Sequence, residues 1–304
     1  MVTKLILDMD PGIDDAIALI LAGLAPEAEV VAVNTVAGNL EVGAATANAC
    51  GLLEVLGASA SVRQGAAAPL FGLPQPATDI HGVGGLGNWQ VPDAPHRLAR
   101  EHAVEYTAAA LSEAAGEITL VATGPLTNVA LLVDRYPREA ALLRRIVIMG
   151  GALAVPGNVT PVAEFNIHAD PEAAQIVFDS GLPLTLVGLD VTHQVQVYPR
   201  DLPSIRATGN QGIGIAAMLE HYFHWAGPDK GCPLHDPLAV MAALYPDWFG
   251  KQKLPVRVED SGGCRGQTVA DFNRRTGQRA NIHAALSVNV DECLNWFYRT
   301  LSRQ

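Results

Sequence analysis

Four aspartates crowd into eight residues near the N-terminus, in Asp8-Met9-Asp10-Pro11-Gly12-Ile13-Asp14-Asp15. They follow the apolar run Leu5-Ile6-Leu7 and open the apolar stretch from Ile13 to Ala25. Helix capping and the helix dipole account for one or two acids at such a place, not for four. Packed together, four carboxylates repel, so either their pKa values rise or a cation holds them. Oxygen-only ligands select a hard cation, Ca²⁺ or Mg²⁺. A further acid stands far away, in His235-Asp236-Pro237, ahead of the apolar stretch Leu238 to Leu244. There a helix N-cap is a sufficient explanation for Asp236 taken alone.

The elements that must position these groups alternate strand and helix. Leu5 to Leu7, Val30 to Val33, Ile118 to Val121, Ile146 to Ile148 and Leu184 to Val187 read as buried strands. Ile13 to Ala25, Val42 to Leu56, Leu126 to Val133 and Pro171 to Asp179 read as helices between them. Continuous apolar strands separated by helices imply a mostly parallel sheet covered on both faces. Later come a helix near Gly212 to Trp225, strands at 256–258 and 268–270, a strand from Ala284 to Val290 and a closing helix from Asp291. No composition break marks a boundary, so residues 1–304 read as one domain. Two Gly/Pro-rich stretches, 69–95 and 227–237, have the length of lids.

In open α/β sheets chemistry gathers at the carboxyl ends of the strands. Polar residues stand at almost every such end: Asn39, the run Thr123-Gly-Pro-Leu-Thr-Asn128, and Met149-Gly150-Gly151. Asn158, Glu164 and Asn166 share one loop before Pro171. A rim of this kind suits a polyhydroxylated ligand held by many hydrogen bonds.

Composition excludes several classes. With 20 basic and 31 acidic side chains the net charge is −11, which repels a nucleic-acid backbone or an anionic membrane. No uninterrupted apolar run is long enough to span a bilayer, and no signal peptide precedes the first strand. The four cysteines, Cys50, Cys232, Cys264 and Cys293, form no CxxC pair. They fit a reducing, cytoplasmic setting. Asn158-Val159-Thr160 matches a glycosylation pattern that has no meaning without secretion.

Other signals point elsewhere. Gly82-Val-Gly-Gly-Leu-Gly87 matches GxGxxG but lacks a strand before it and a helix after it, so it reads as a flap. Asp8-x-Asp10 resembles the start of an Mg²⁺-dependent aspartyl-phosphate phosphatase with Asp8 as nucleophile. Gly12 departs from that pattern, and Asp14-Asp15 is left without a role. His221 and His224 lack a third zinc ligand nearby, and Cys232 lacks support as a nucleophile.

Taken together, the motifs resemble the nucleoside hydrolases, the inosine–uridine-preferring family. The resemblance spans nearly the whole chain: Asp8-x-Asp10-Pro-Gly-x-Asp14-Asp15, Asn34-Thr-Val-Ala-Gly-Asn39, Thr123 to Asn128, Met149-Gly-Gly151, Glu164-Phe-Asn166, His235-Asp236, and Arg265-Gly-Gln-Thr-Val-Ala-Asp271. It implies an α/β, Rossmann-like, mostly parallel central sheet flanked by helices. It also implies hydrolysis of the N-ribosidic bond of ribonucleosides, a bound Ca²⁺, and a homotetramer or homodimer. By motif position, Asp10, Asp15 and Asp236 are the carboxylate ligands of calcium, and Thr123 ligates through its main-chain carbonyl. Asp10 is also the general base for a calcium-bound water, and Asp8 supports the ligand set. Asp14, Asn39, Met149, Asn158, Glu164 and Asn166 line the ribose pocket, with Phe165 and His81 among the substrate contacts.

His235 is placed to help the base depart, a task suited to a histidine of near-neutral pKa. Within the resemblance, a histidine there marks members that accept pyrimidine or mixed nucleosides. One departure is Val83, which stands where the family's first flap carries an acid. Two rival classes remain: the phosphatase, which releases phosphate, and a calcium-dependent riboside binder without turnover.

Overall fold

The computed structural model describes residues 2–303. The first half runs β1 (Thr3–Met9), α1 (Ile13–Leu24), β2 (Ala28–Thr35), α2 (Val42–Leu56), β3 (Ser61–Gln64), α3 (Thr78–His81), α4 (Ala103–Glu113), β4 (Ile118–Ala122), α5 (Thr127–Arg135), α6 (Pro137–Ala140) and β5 (Arg145–Met149). Next come α7 (Phe165–Ala169), α8 (Pro171–Asp179), β6 (Leu184–Val187), α9 (Leu189–Thr192), β7 (Gln196–Val197), α10 (Leu202–Arg206) and α11 (Asn210–Ala226). The chain finishes with β8 (Cys232–Pro233), α12 (His235–Leu244), β9 (Phe249–Leu254), β10 (Val256–Val258), β11 (Thr268–Ala270), β12 (Ile282–Val288) and α13 (Val290–Leu301).

The main sheet has eight strands in the order β3-β2-β1-β4-β5-β6-β12-β9. All neighbours pair parallel except the edge strand β9, which runs antiparallel to β12. One apolar cluster covers each face. The first centres on α1, α2, α12 and α13, and the second on α4, α5 and α8. α1 is apolar on most sides because it lies under α12, α2 and α13 as well as on the sheet. It stops at Leu24 because Pro26 disfavours helical backbone at Ala25, whose ψ is 117°.

The strand order reverses at β1. The chain builds outward through β2 and β3, then returns to place β4 on the other side of β1. Loops leaving β1 and β4 therefore diverge and open a crevice at their carboxyl ends. Register brings the rim together: Asp8 lies opposite Asn34 of β2 and Ala122 of β4. The acidic loop, the Asn39 loop and the Thr123 loop thus emerge side by side.

The strands expected at 256–258 and 268–270 form, paired with one another as a two-stranded ribbon. Two other sequence expectations change. The stretch 227–237 is not a free connection. β8 pairs with β7, and Leu234 N–H donates to the Val195 carbonyl at 2.9 Å. The stretch 69–95 carries α3 and is anchored too, through residues described below. No helix among the described residues is long and apolar enough to cross a membrane.

Candidate functional site

Asp15 is the hub of the rim. Its Oδ1 accepts from Thr123 Oγ1 at 2.8 Å and from the Asp10 N–H at 3.4 Å. Its Oδ2 accepts from the Gly12 N–H and from Asn39 Nδ2, both at 3.2 Å. One carboxylate in the first turn of α1 therefore ties together the loops after β1, β2 and β4. Asp10 is fully buried, and its Oδ2 accepts the Asn39 N–H at 2.5 Å.

Asp236 joins from the start of α12, more than two hundred residues away. The N-cap explanation for it does not hold: Leu234 occupies the cap position, and Asp236 lies inside the first turn. Carboxylate oxygens of Asp14, Asp15 and Asp236 come within 4.8 Å of one another. At that spacing and an effective dielectric near 20, each like-charged pair repels by roughly 3 kcal/mol. Burial pushes the carboxyls of Asp10, Asp14, Asp15 and Asp236 above their ordinary range, and neighbouring acids push Asp10, Asp15 and Asp236 further. Asp10 Oδ1 and Asp14 Oδ1 are buried with no hydrogen-bond partner among the described residues. Unpartnered hard oxygens inside an acidic nest fit a divalent cation, which removes both the repulsion and the missing partners.

Above the nest lies a cavity of about 570 Å³. Asp14, Thr123 and Asp236 contribute to its lining, whereas Asp10 and Asp15 do not. Asn39, Met149, Asn158, Glu164, Phe165 and Asn166 line it as the sequence suggests. The last two belong to the short helix α7 rather than to a loop, and Glu164 caps that helix. Glu164 Oε1 accepts the Asn166 N–H, and Oε2 accepts those of Gly151 and Ile167. Asn166 Nδ2 donates to the Thr123 carbonyl at 2.7 Å and to that of Met149 at 3.3 Å. Asn158 Oδ1 accepts the Phe165 N–H.

Asp8 faces elsewhere. Both of its oxygens accept from Asn128 Nδ2, burial raises its pKa to about 7, and it does not line the cavity. A phosphatase nucleophile must meet substrate, so that reading of Asp8 falls. Asp8 instead braces the strand end through Asn128, which also donates to the Thr35 carbonyl and accepts the Ala66 N–H.

His81, at the end of α3, lines the cavity but has committed one nitrogen: Nδ1 accepts the Ile13 N–H at 3.0 Å. Burial lowers its pKa to about 4. The glycine run beyond it is held down. Asn48 Nδ2 donates to the carbonyls of both Pro11 and Gly84. Gly87 has φ of 53°, and a Cβ there would lie 2.7 Å from the His221 Cβ. Gly82 and Gly87 thus serve a close crossing of α11, and Gly85 one of Leu40 and Asn48, rather than a dinucleotide. Val83 is 92% exposed, so it makes no wall of the cavity.

His235 lines the cavity at the start of α12, with Nδ1 2.8 Å from Thr192 Oγ1. Burial first, then His193 and His81, takes its pKa to about 3. The near-neutral value expected from sequence is therefore replaced by a ring that burial keeps uncharged. Sequence reasoning missed Thr192 and His193, although both follow β6. The strand-end rule that found Asn39 and Thr123 reaches them as well. Tyr222, Trp225 and Cys232 complete the far wall. Burial raises the Tyr222 hydroxyl and the Cys232 thiol, so neither is a ready nucleophile. His221 and His224 belong to no metal-holding group among the described residues.

Known proteins resemble this chain in sequence and in fold. The family model for inosine-uridine preferring nucleoside hydrolases matches residues 5–295. A pyrimidine-specific ribonucleoside hydrolase, RihA of Salmonella enteritidis PT4 (strain P125109), is 41% identical over 298 residues, covering 96% of this chain and 95% of the relative. The solved structure of a plant nucleoside hydrolase, PpNRh1, superposes with a TM-score of 0.94 at 34% identity, covering 99% of both chains. A purine-preferring ribonucleoside hydrolase from Gardnerella vaginalis gives 0.93 at 32%, covering 99% of this chain and 98% of that one. Match length, identity and superposed fold agree, and the chain belongs to the inosine-uridine preferring nucleoside hydrolase family.

Proposed function

We propose that this protein hydrolyses the N-ribosidic bond of ribonucleosides, giving free base and ribose, with Ca²⁺ held by Asp10, Asp15, Asp236 and the Thr123 carbonyl. The observation that carries the reading is the nest of Asp14, Asp15 and Asp236, with unpartnered oxygens on Asp10 and Asp14, beside a cavity that His235 also lines. Calcium held there would neutralise the charge of the nest and would supply a positive centre for water and the sugar hydroxyls.

The chain's own residues supply the rest. Asp10 takes the proton of the attacking water at Oδ1, which has no partner among the described residues, while the Asn39 N–H holds Oδ2 in place. Asp14, Asn39, Asn158 and Asn166 hydrogen-bond the sugar. The buried Glu164 carboxylate, fixed by three backbone N–H groups, faces the positive charge that grows on the ribose in an oxocarbenium-like transition state. His235 donates a hydrogen bond to the departing base.

His235 and the similarity to RihA support pyrimidine-capable or mixed specificity over strict purine specificity. The reading further takes residues 1–304 as one domain, working as a homodimer or homotetramer in cytoplasmic nucleoside salvage. The test is release of base and ribose, without added phosphate, from inosine, adenosine, guanosine, uridine and cytidine, with Asp10→Ala as control. Release that is lost in Asp10→Ala supports the hydrolase. Folded, calcium-loaded protein that binds nucleosides and releases nothing would instead identify a riboside binder.

A further inference from the structure

We propose that Thr192 is a positioning residue for base departure, its hydroxyl holding the His235 ring so that Nε2–H faces the nucleobase. The inference rests on the hydrolase reading above and adds a residue to it.

Thr192 is fully buried at the end of α9, and its Oγ1 lies 2.8 Å from His235 Nδ1. Its hydroxyl carries one proton, and among the described residues Nδ1 is its only hydrogen-bond partner. If Nδ1 carried a proton, the Thr192 O–H would be buried with no acceptor, which native structures avoid. The hydroxyl therefore donates, Nδ1 accepts, and the neutral ring keeps its single proton on Nε2. Since Nδ1 is taken, Nε2 is the nitrogen left for the cavity that His235 lines.

The support is rigid on both sides. Leu189 N–H donates to the Gly151 carbonyl at 2.9 Å, and Thr192 N–H to the Gly188 carbonyl at 3.1 Å, which fixes α9. Leu234 N–H donates to the Val195 carbonyl at 2.9 Å, which ties the segment bearing His235 to the chain leaving α9. The His193 ring meets His235 edge-on, with centroids 5.7 Å apart and planes at 64°, and limits its tilt. A donor fixed before reaction strengthens its bond as charge develops on the leaving base. The opposite tautomer would aim a lone pair at that charge.

The experiment compares Thr192→Val, which keeps the shape and removes the hydroxyl, with Thr192→Ser, which keeps the hydroxyl. Thr192→Val should lose about tenfold in kcat on uridine or inosine, the worth of one hydrogen bond near 1.4 kcal/mol, with KM little changed. It should lose far less on p-nitrophenyl riboside, whose leaving group needs no donor. Thr192→Ser should recover most of the nucleoside rate. Equal losses on both substrates, or no recovery with serine, would overturn the proposal. A second readout is independent of turnover: ¹⁵N shifts of His235 should show Nε2 protonated and Nδ1 bare in the parent protein, and Nδ1–H there would overturn the proposal even in an active enzyme. A parent protein that releases no base from any nucleoside sinks the hydrolase reading instead, and the proposal with it.

Discussion

His81 Nδ1 accepts the backbone N–H of Ile13, 68 residues earlier in the chain, at 3.0 Å. The bond pins the cavity wall carried by α3 to the N-terminus of α1, the helix whose first turn presents Asp14 and Asp15. Gly12 makes it possible, because a Cβ there would fall 2.7 Å from His81 Nδ1 and 3.0 Å from Asn39 Nδ2.

Gly12→Ala should therefore destabilise the protein by about 1–3 kcal/mol through overpacking. His81→Ala removes the acceptor and should cost about 1 kcal/mol, the usual worth of a helix cap. Urea unfolding checks both. The double variant should lose less than the sum, because without the ring the alanine has room. Strictly additive losses would show that the clash lies elsewhere.

Metal removal should reverse the sign of an acid substitution. With calcium present, Asp236→Asn weakens the ligand set, and its melting temperature should fall below that of the parent. After chelation the parent keeps crowded, buried carboxylates, and Asp236→Asn should then melt higher by relieving the repulsion. Calcium at about 100 times its dissociation constant should restore roughly 2.7 kcal/mol to the parent. Thermal melts with and without chelator, alongside metal analysis, read the crossing. Parallel behaviour of the two proteins would argue against a cation in the nest.

His235→Ala should slow inosine by about a hundredfold, the lower range for removing a group that assists proton or hydrogen-bond transfer. The same change should slow p-nitrophenyl riboside much less. Steady-state rates on the two substrates decide the matter, and equal losses would take His235 out of base departure.

2′-Deoxynucleosides should be poor substrates. Binding energy from the sugar hydroxyls is used to reach the distorted, positively charged transition state. Losing one hydroxyl should lower kcat as well as affinity. Comparable turnover of uridine and 2′-deoxyuridine would contradict this use of the rim.

The sequence by itself determined the local and periodic features. Apolar runs marked β1, β2, β4, β5 and β6, and the acids at the end of β1 marked the site, because strand burial and strand-end chemistry are written within a few residues. β3 (Ser61-Val-Arg-Gln64) and β9 (Phe249-Gly-Lys-Gln-Lys-Leu254) carried no such signal. Both are edge strands, and an edge facing water can be short or charged. Tertiary structure decided which distant groups meet where no motif joined them, whereas the family motifs already grouped Asp236 with the acids after the first strand. It took Asp236 off the helix cap, turned Asp8 to Asn128, took His81 Nδ1 for Ile13, and put Thr192 against His235. Each of these depends on how α12, α5, α3 and α9 pack against a sheet whose strand order reverses at β1, and packing of that range leaves no local pattern in the chain.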